Sequence, residues 1–154
     1  MKPESFEYHR PETVGEVLEL LADLDDAELM AGNQSLGIIM STRLSTPADV
    51  IDLNAVDELA FIDRDRDAIR IGAMTRHRTV ERSTLLADVL EMLPEAAEQI
   101  AGPSVRNRGT VGGSLAEADP AGNYPTAFTA LGATVHLRSQ RSEEHTSELQ
   151  SPSA

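Results

Sequence analysis

Val105-Arg106-Asn107-Arg108-Gly109-Thr110-Val111-Gly112-Gly113-Ser114-Leu115 decides what this chain can fold into. Three glycines and two hydroxyl residues follow two arginines, which reads as a loop. Small residues tolerate φ > 0 and leave backbone N–H groups open, and an anion-binding nest needs both. A second stretch of the same character lies upstream, Ala31-Gly32-Asn33-Gln34-Ser35-Leu36. It also aims a helix N-terminus at any ligand, with Ser35 placed to cap the helix or to donate. Two such loops suit a pyrophosphate, which carries two charged groups, and Arg106 and Arg108 can supplement them. Each loop alone reads equally well as an ordinary turn, and neither has the Gly-x-Gly-x-x-Gly spacing of a dinucleotide fingerprint.

Outward from these loops, the pattern alternates. Phe6 and Tyr8 alternate with Glu7 and His9 as a short strand. Thr13-Val14-Gly15-Glu16 is a capping box that opens a helix over Val14 to Leu24, with Val14, Val17, Leu18 and Leu21 on one face. Glu28 to Met30 is a strand that runs into the first loop, and a helix carrying Leu36, Ile39 and Met40 follows it. Val50 to Leu53 is the next strand. Alternating β and α elements predict an α/β unit. After Asn54 the style changes. Two strands flank the charged turn Asp63-Arg64-Asp65-Arg66-Asp67, and helical stretches at 79–83, 85–93 and 94–100 lead to the glycine-rich loop. Pro125 to Leu131 is a short helix closed by Gly132, and Thr134 to Arg138 is a strand. The expected organisation is two subdomains, residues 1–54 and 55–139, in an α+β or α/β fold.

Composition narrows the function. The chain has 154 residues, 40% of them hydrophobic and 25% charged, which is the make-up of a globular domain. Net charge is −13, and lysine occurs once, at Lys2. Such a field repels nucleic acid, whose binding rests on Lys and Arg meeting phosphates. The missing lysine also excludes a P-loop. Cysteine is absent, so this chain supplies no disulfide, no thiol nucleophile and no iron–sulfur ligand. No apolar run approaches the ~20 residues of a membrane span. The N-terminus does not read as a secretory signal, so a cytoplasmic location is expected.

Several other patterns carry no chemistry. Asp63, Asp65 and Asp67 open like a calcium loop, but Ala68 and Met74 stand where Gly and Glu are required. Gly112 to Ala116 lacks the strand that must precede a nucleophile elbow. His9, His77 and His136 have no metal spacing and read as surface or edge positions. No catalytic side chain and no metal site is expected.

Residues 141–154, beginning Arg-Ser-Glu-Glu-His-Thr-Ser-Glu-Leu-Gln-Ser, resemble the translated frame of a common sequencing-library adapter. The stretch is polar, without helical or strand period, and residues 140–154 are expected to be a disordered, non-native tail.

Residues 1 to about 139 resemble the FAD-binding medium subunit of the molybdenum hydroxylases, the family of xanthine dehydrogenase and aerobic carbon monoxide dehydrogenase. The segments that carry the resemblance are Phe6 to Pro11, the first loop, Val50 to Asn54, Ile69 to Arg76, Val105 to Leu115, Ala118-Asp119-Pro120 and Pro125. The resemblance implies a two-subdomain FAD-binding fold of the vanillyl-alcohol-oxidase/PCMH type, continuing beyond residue 139. It implies that FAD's pyrophosphate is cradled by Ala31, Gly32, Asn33, Gln34 and Ser35 and by Gly109, Thr110, Val111, Gly112, Gly113 and Ser114. A Cβ on Gly112 or Gly113 is expected to fill space the pyrophosphate needs. Asn33 stands where the family usually has Gly, and Asn is among the residues best able to take φ > 0. Asn123 stands near a usual acidic nucleotide contact, keeping hydrogen bonding without the charge. The implied function is electron transfer from the iron–sulfur clusters of a small subunit, through FAD, to an acceptor. Substrate is hydroxylated on a molybdopterin-binding large subunit. The alternatives are a stand-alone flavin oxidoreductase of the same fold and a non-functional fragment that no longer retains flavin.

Overall fold

The computed structural model describes residues 2–139 and 142–148, the latter as backbone alone. The first part is a three-stranded parallel sheet of β1 (Glu7–His9), β2 (Ala27–Met30) and β3 (Asp49–Asp52), in the order β1-β3-β2. The central strand β3 is the most buried, with Val50 and Ile51 at 1% and 0% exposure. Helix α1 (Val14–Asp23) connects β1 to β2, and α2 (Leu36–Ser41) lies on the path from β2 to β3. Parallel strands need such crossovers. Thr13 caps α1 as its sequence predicts, accepting from the Glu16 N–H at 3.2 Å. The Glu16 carboxylate reaches back to the Glu12 N–H at 2.7 Å, one residue before the capping-box position.

A different architecture follows. The hairpin of β4 (Ile62–Asp65) and β5 (Ala68–Ile71) leads into six short helices: α3 (His77–Glu81), α4 (Thr84–Val89), α5 (Met92–Glu98), α6 (Pro103–Arg106), α7 (Val111–Glu117) and α8 (Asn123–Ala130). The core forms two clusters. Val17, Ile51 and Val56 make the first. Val80, Leu86, Leu93, Ala97, Val111, Tyr124, Ala127 and Phe128 make the second. Burying side chains of the size of Leu86 or Leu93 contributes roughly 1.5–3 kcal/mol each. The first cluster gathers Leu59 as well, so it reaches past Asn54.

Two expectations are corrected. The stretch read as one long glycine-rich loop is largely helical, because α6 and α7 bracket only Asn107 to Thr110. Thr110 caps α7, accepting from the Gly113 N–H at 3.1 Å, and Val111 is buried in the second cluster. Cap and burial together outweigh the poor helix propensity of Gly112 and Gly113, about 1 kcal/mol each. The tail is the second case. Residues 142–148, expected to be disordered, form β7 (Ser142–Glu148), antiparallel to β6 (Thr134–Ser139). Ladder bonds are made by backbone, so the open edge of β6 can pair with a segment that has no side-chain period. Residues 140, 141 and 149–154 of that expectation lie outside the described residues. Among the described residues, no helix is long and apolar enough to cross a membrane.

Candidate functional site

The two loops singled out in the sequence meet in space. Gly32 packs on the second segment so closely that a Cβ there would strike the Arg108 carbonyl and stand 2.6 Å from the Gly109 Cα. A Cβ on Gly113 would lie 3.6 Å from the Ala31 Cβ. Residues more than 75 apart in sequence thus form one surface between the parallel sheet and the helical part.

The loops differ in what they offer. In the first, no N–H of Gly32, Asn33, Gln34 or Ser35 has an acceptor among the described residues. Asn33 takes φ 56°, the left-handed conformation anticipated for it. Gln34 braces the turn, its Nε2 donating to the Gly32 carbonyl at 2.9 Å. The Ser35 side chain makes no cap bond to α2, which leaves its hydroxyl free to donate. α2 has six residues, so the donors that matter are those of the loop itself.

The second segment spends its donors internally. The N–H of Val111 bonds the Thr75 carbonyl at 3.0 Å and that of Gly112 the Ala73 carbonyl at 2.8 Å. Gly113 donates to Thr110 Oγ1, and Ser114 donates to the Thr110 carbonyl at 3.0 Å. Gly109 donates to the Val105 carbonyl at 2.7 Å. The buried Thr110 N–H has no acceptor among the described residues. None of the glycines in either loop has positive φ. Here glycine serves close approach rather than left-handed backbone. A Cβ on Gly112 would lie 2.6 Å from the Ala73 Cβ and 2.9 Å from its Cα, not in space a ligand would take. One on Gly109 would lie 2.6 Å from His77 Nε2.

Other sequence-singled residues go elsewhere. Arg106 is a structural cation. Its Nε bonds Glu81 at 3.0 Å, and its Nη1 caps the end of α5 through the carbonyls of Glu98, Ile100 and Ala101. Glu81 is held below the usual carboxylate range, first by its hydrogen bond from Arg78, and then by the charges of Arg106 and Arg78. Arg108 remains exposed at the rim of the site. Asn123 begins α8 and donates to the Ala96 carbonyl on α5 at 3.2 Å. No hydrogen bond joins it to either loop among the described residues. His77, expected at a surface or edge, is 5% exposed. Its ring meets the Tyr124 ring edge-on at 5.2 Å, and both His77 Nδ1 and the Tyr124 hydroxyl lack hydrogen-bond partners among the described residues. Burial, and next the Arg76 charge, lower the imidazole to about 4. Burial raises the Tyr124 hydroxyl. No cluster of three metal-ligating side chains occurs among the described residues.

Sequence reading missed the network under the loops. Asp52, 6% exposed at the end of β3, accepts from the Tyr8 hydroxyl, the Asn54 N–H at 2.9 Å and the Asn54 side-chain amide. Asn54 Nδ2 also donates to the Ala31 carbonyl at 2.9 Å. Arg76 Nη2 donates to Asn54 Oδ1 at 2.5 Å, and its Nη1 donates to the Arg108 carbonyl. The signal was present, since Asn54 and Arg76 each close a segment that carried the family resemblance.

The comparisons agree with this geometry. Residues 4–151 match the family model described as FAD binding domain in molybdopterin dehydrogenase. The 6-hydroxypseudooxynicotine dehydrogenase complex subunit alpha of Paenarthrobacter nicotinovorans is 45% identical over 93% of this chain and 49% of its own length. The carbon monoxide dehydrogenase medium chain of Hydrogenophaga pseudoflava is 42% identical over 86% of this chain and 47% of its own. A solved carbon monoxide dehydrogenase from Hydrogenophaga pseudoflava, lacking the Mo-pyranopterin moiety, has a TM-score of 0.94 at 39% identity. That match covers 97% of this chain and 52% of the other. The chain spans about half the length of the curated relatives it matches. The fold expected from the resemblance is therefore the fold found, and with its two loops meeting as one surface the chain belongs to the family of FAD-binding domains of molybdopterin dehydrogenases.

Proposed function

We propose that this chain holds the pyrophosphate of FAD within the electron-transfer subunit of a molybdenum-containing hydroxylase or dehydrogenase complex. The observation that carries the reading is the run of four N–H groups, Gly32 to Ser35, with no acceptor among the described residues. A diphosphate fits that run. Its oxygens accept from consecutive backbone donors, and neutral donors suit a chain whose net charge is −13. Ser35 Oγ extends the donor set of the first loop. Asn33 sets the turn that points the donors outward, and Gly109 to Ser114 form the wall that keeps them there. Gly112 supports this wall by packing on Ala73 rather than by touching ligand. Asn123 belongs to the proposed nucleotide-side residues only if its bond to Ala96 is exchanged.

Bound FAD supplies the redox chemistry, and the protein contributes binding and orientation. No side chain of this chain is assigned an acid–base role. Electrons are proposed to arrive from iron–sulfur clusters on a separate small subunit and to leave to an acceptor. The absence of cysteine here agrees with that division of labour. The substrate site is proposed to lie on a molybdopterin-binding large subunit. The names of the relatives, a medium chain and a complex subunit, support this assembly. The complex is proposed to work in the cytoplasm.

Expression with the genes beside it tests the reading. A yellow protein that co-purifies with a large molybdopterin-binding and a small iron–sulfur subunit supports it. A yellow protein purifying alone supports the stand-alone flavin oxidoreductase, and a colourless one supports a fragment that no longer retains flavin.

A further inference from the structure

Among the described residues, Arg76 and Asn54 together form a hydrogen-bonded bridge between the two sides of the site. One arm of the Arg76 guanidinium donates to the Arg108 carbonyl, on the second segment. The other donates to Asn54 Oδ1 at 2.5 Å, and Asn54 Nδ2 carries the link to the Ala31 carbonyl, on the first loop, at 2.9 Å. Asn54 is oriented in turn by the buried Asp52, which accepts from its N–H and its amide. The three residues come from the end of β3, the turn after it and the residue before α3. Arg76 also sits beside Arg108, a second cation, at a protein surface that is otherwise strongly acidic.

We propose that Arg76 and Asn54 act as a clamp that fixes the spacing between the 31–35 loop and the 108–114 segment, and that this spacing sets the affinity for the pyrophosphate of FAD. The inference rests on the flavin reading above and adds two positioning residues to it. The arms of the guanidinium are rigidly splayed, so two acceptors on different segments are held at one separation. A lysine keeps the charge, but its compact ammonium on a flexible stem does not hold that separation. A clamp and a simple charge therefore differ in what Arg76→Lys does.

The test uses the whole chain, as wild type, Arg76→Lys, Asn54→Ala and the double variant. Flavin fluorescence measures FAD affinity, calorimetry measures affinity for ADP, which has the pyrophosphate without the flavin, and a thermal melt without ligand checks folding. A clamp predicts at least a tenfold loss in Arg76→Lys, by the same factor for FAD and ADP, and a double variant no weaker than the worse single one. Should Arg76→Lys fail to fold, Asn54→Ala reads the same loss. FAD binding within twofold of wild type in Arg76→Lys overturns the clamp, since charge then suffices. A loss for FAD with ADP unchanged also overturns it. Wild-type chain that binds neither FAD nor ADP overturns the flavin reading itself, a result distinct from the other two.

Discussion

Gly32 and Gly109 touch backbone to backbone, so that a Cβ on Gly32 would stand 2.6 Å from the Gly109 Cα. The neighbours there are main-chain atoms, which cannot swing away as the end of a side chain can. Gly32→Ala is therefore expected to push the two loops apart. The expected cost is about 1–3 kcal/mol of stability, as for overpacked sites generally, with loss of flavin retention. Urea unfolding and a flavin titration check it; unchanged values in both would show that the loops do not need this contact.

The turn at Asn33 makes an opposite prediction. At φ 56° a residue without Asn's tolerance is strained, whereas glycine is not. Asn33→Ala is expected to lose about 1 kcal/mol of stability, and Asn33→Gly to match the natural chain within about 0.5 kcal/mol. Denaturant midpoints for the three proteins decide it, and an alanine variant as stable as the glycine one contradicts it.

His77 links the site to pH. Its imidazole is held at about 4 in the folded chain against an ordinary 6.5, chiefly by burial. The unfolded chain therefore binds the proton more readily between those values. The contribution of a neutral His77 is complete above pH 6.5 and is lost as pH falls towards 4, with a ceiling of about 3 kcal/mol. Folding stability measured from pH 7 to 4 is expected to fall more steeply in wild type than in His77→Gln. Parallel profiles would remove His77 as the cause.

Thr110 and Gly113 separate cap from cradle. Thr110→Ala removes the acceptor for the Gly113 N–H and is expected to cost about 1 kcal/mol, while Thr110→Ser retains the bond. Gly113→Val brings a Cβ to 2.9 Å from Thr110 Oγ1 and towards Ala31, and is expected to abolish flavin retention. Asp65→Ala, in the exposed β4–β5 hairpin, is expected to leave flavin content unchanged. Equal flavin content in Gly113→Val and wild type would remove this segment from the site.

Sequence alone determined whatever depends on neighbours a few residues apart. The Thr13 cap, a hairpin in the charged stretch (though its turn is only Arg66 and Asp67, with Asp63 to Asp65 in β4), the helix closed by Gly132 at φ 62° and the left-handed Asn33 all follow from short-range preferences. It also placed the first loop and marked the second segment, of which only Asn107 to Thr110 is loop, because small residues in such runs are conspicuous. Tertiary structure alone decided how the loops are used. Val111 to Ser114 became a capped helix start because Val111 found a core to enter. Arg106 left the ligand side for the carbonyls at the end of α5, and His77 went inside against Tyr124. The link from Arg76 to Asn54 and Arg108 spans 22 and 32 residues. Local preference sets the backbone of each loop. Which carbonyl a guanidinium reaches is settled only when burial of the two clusters brings distant segments to one place.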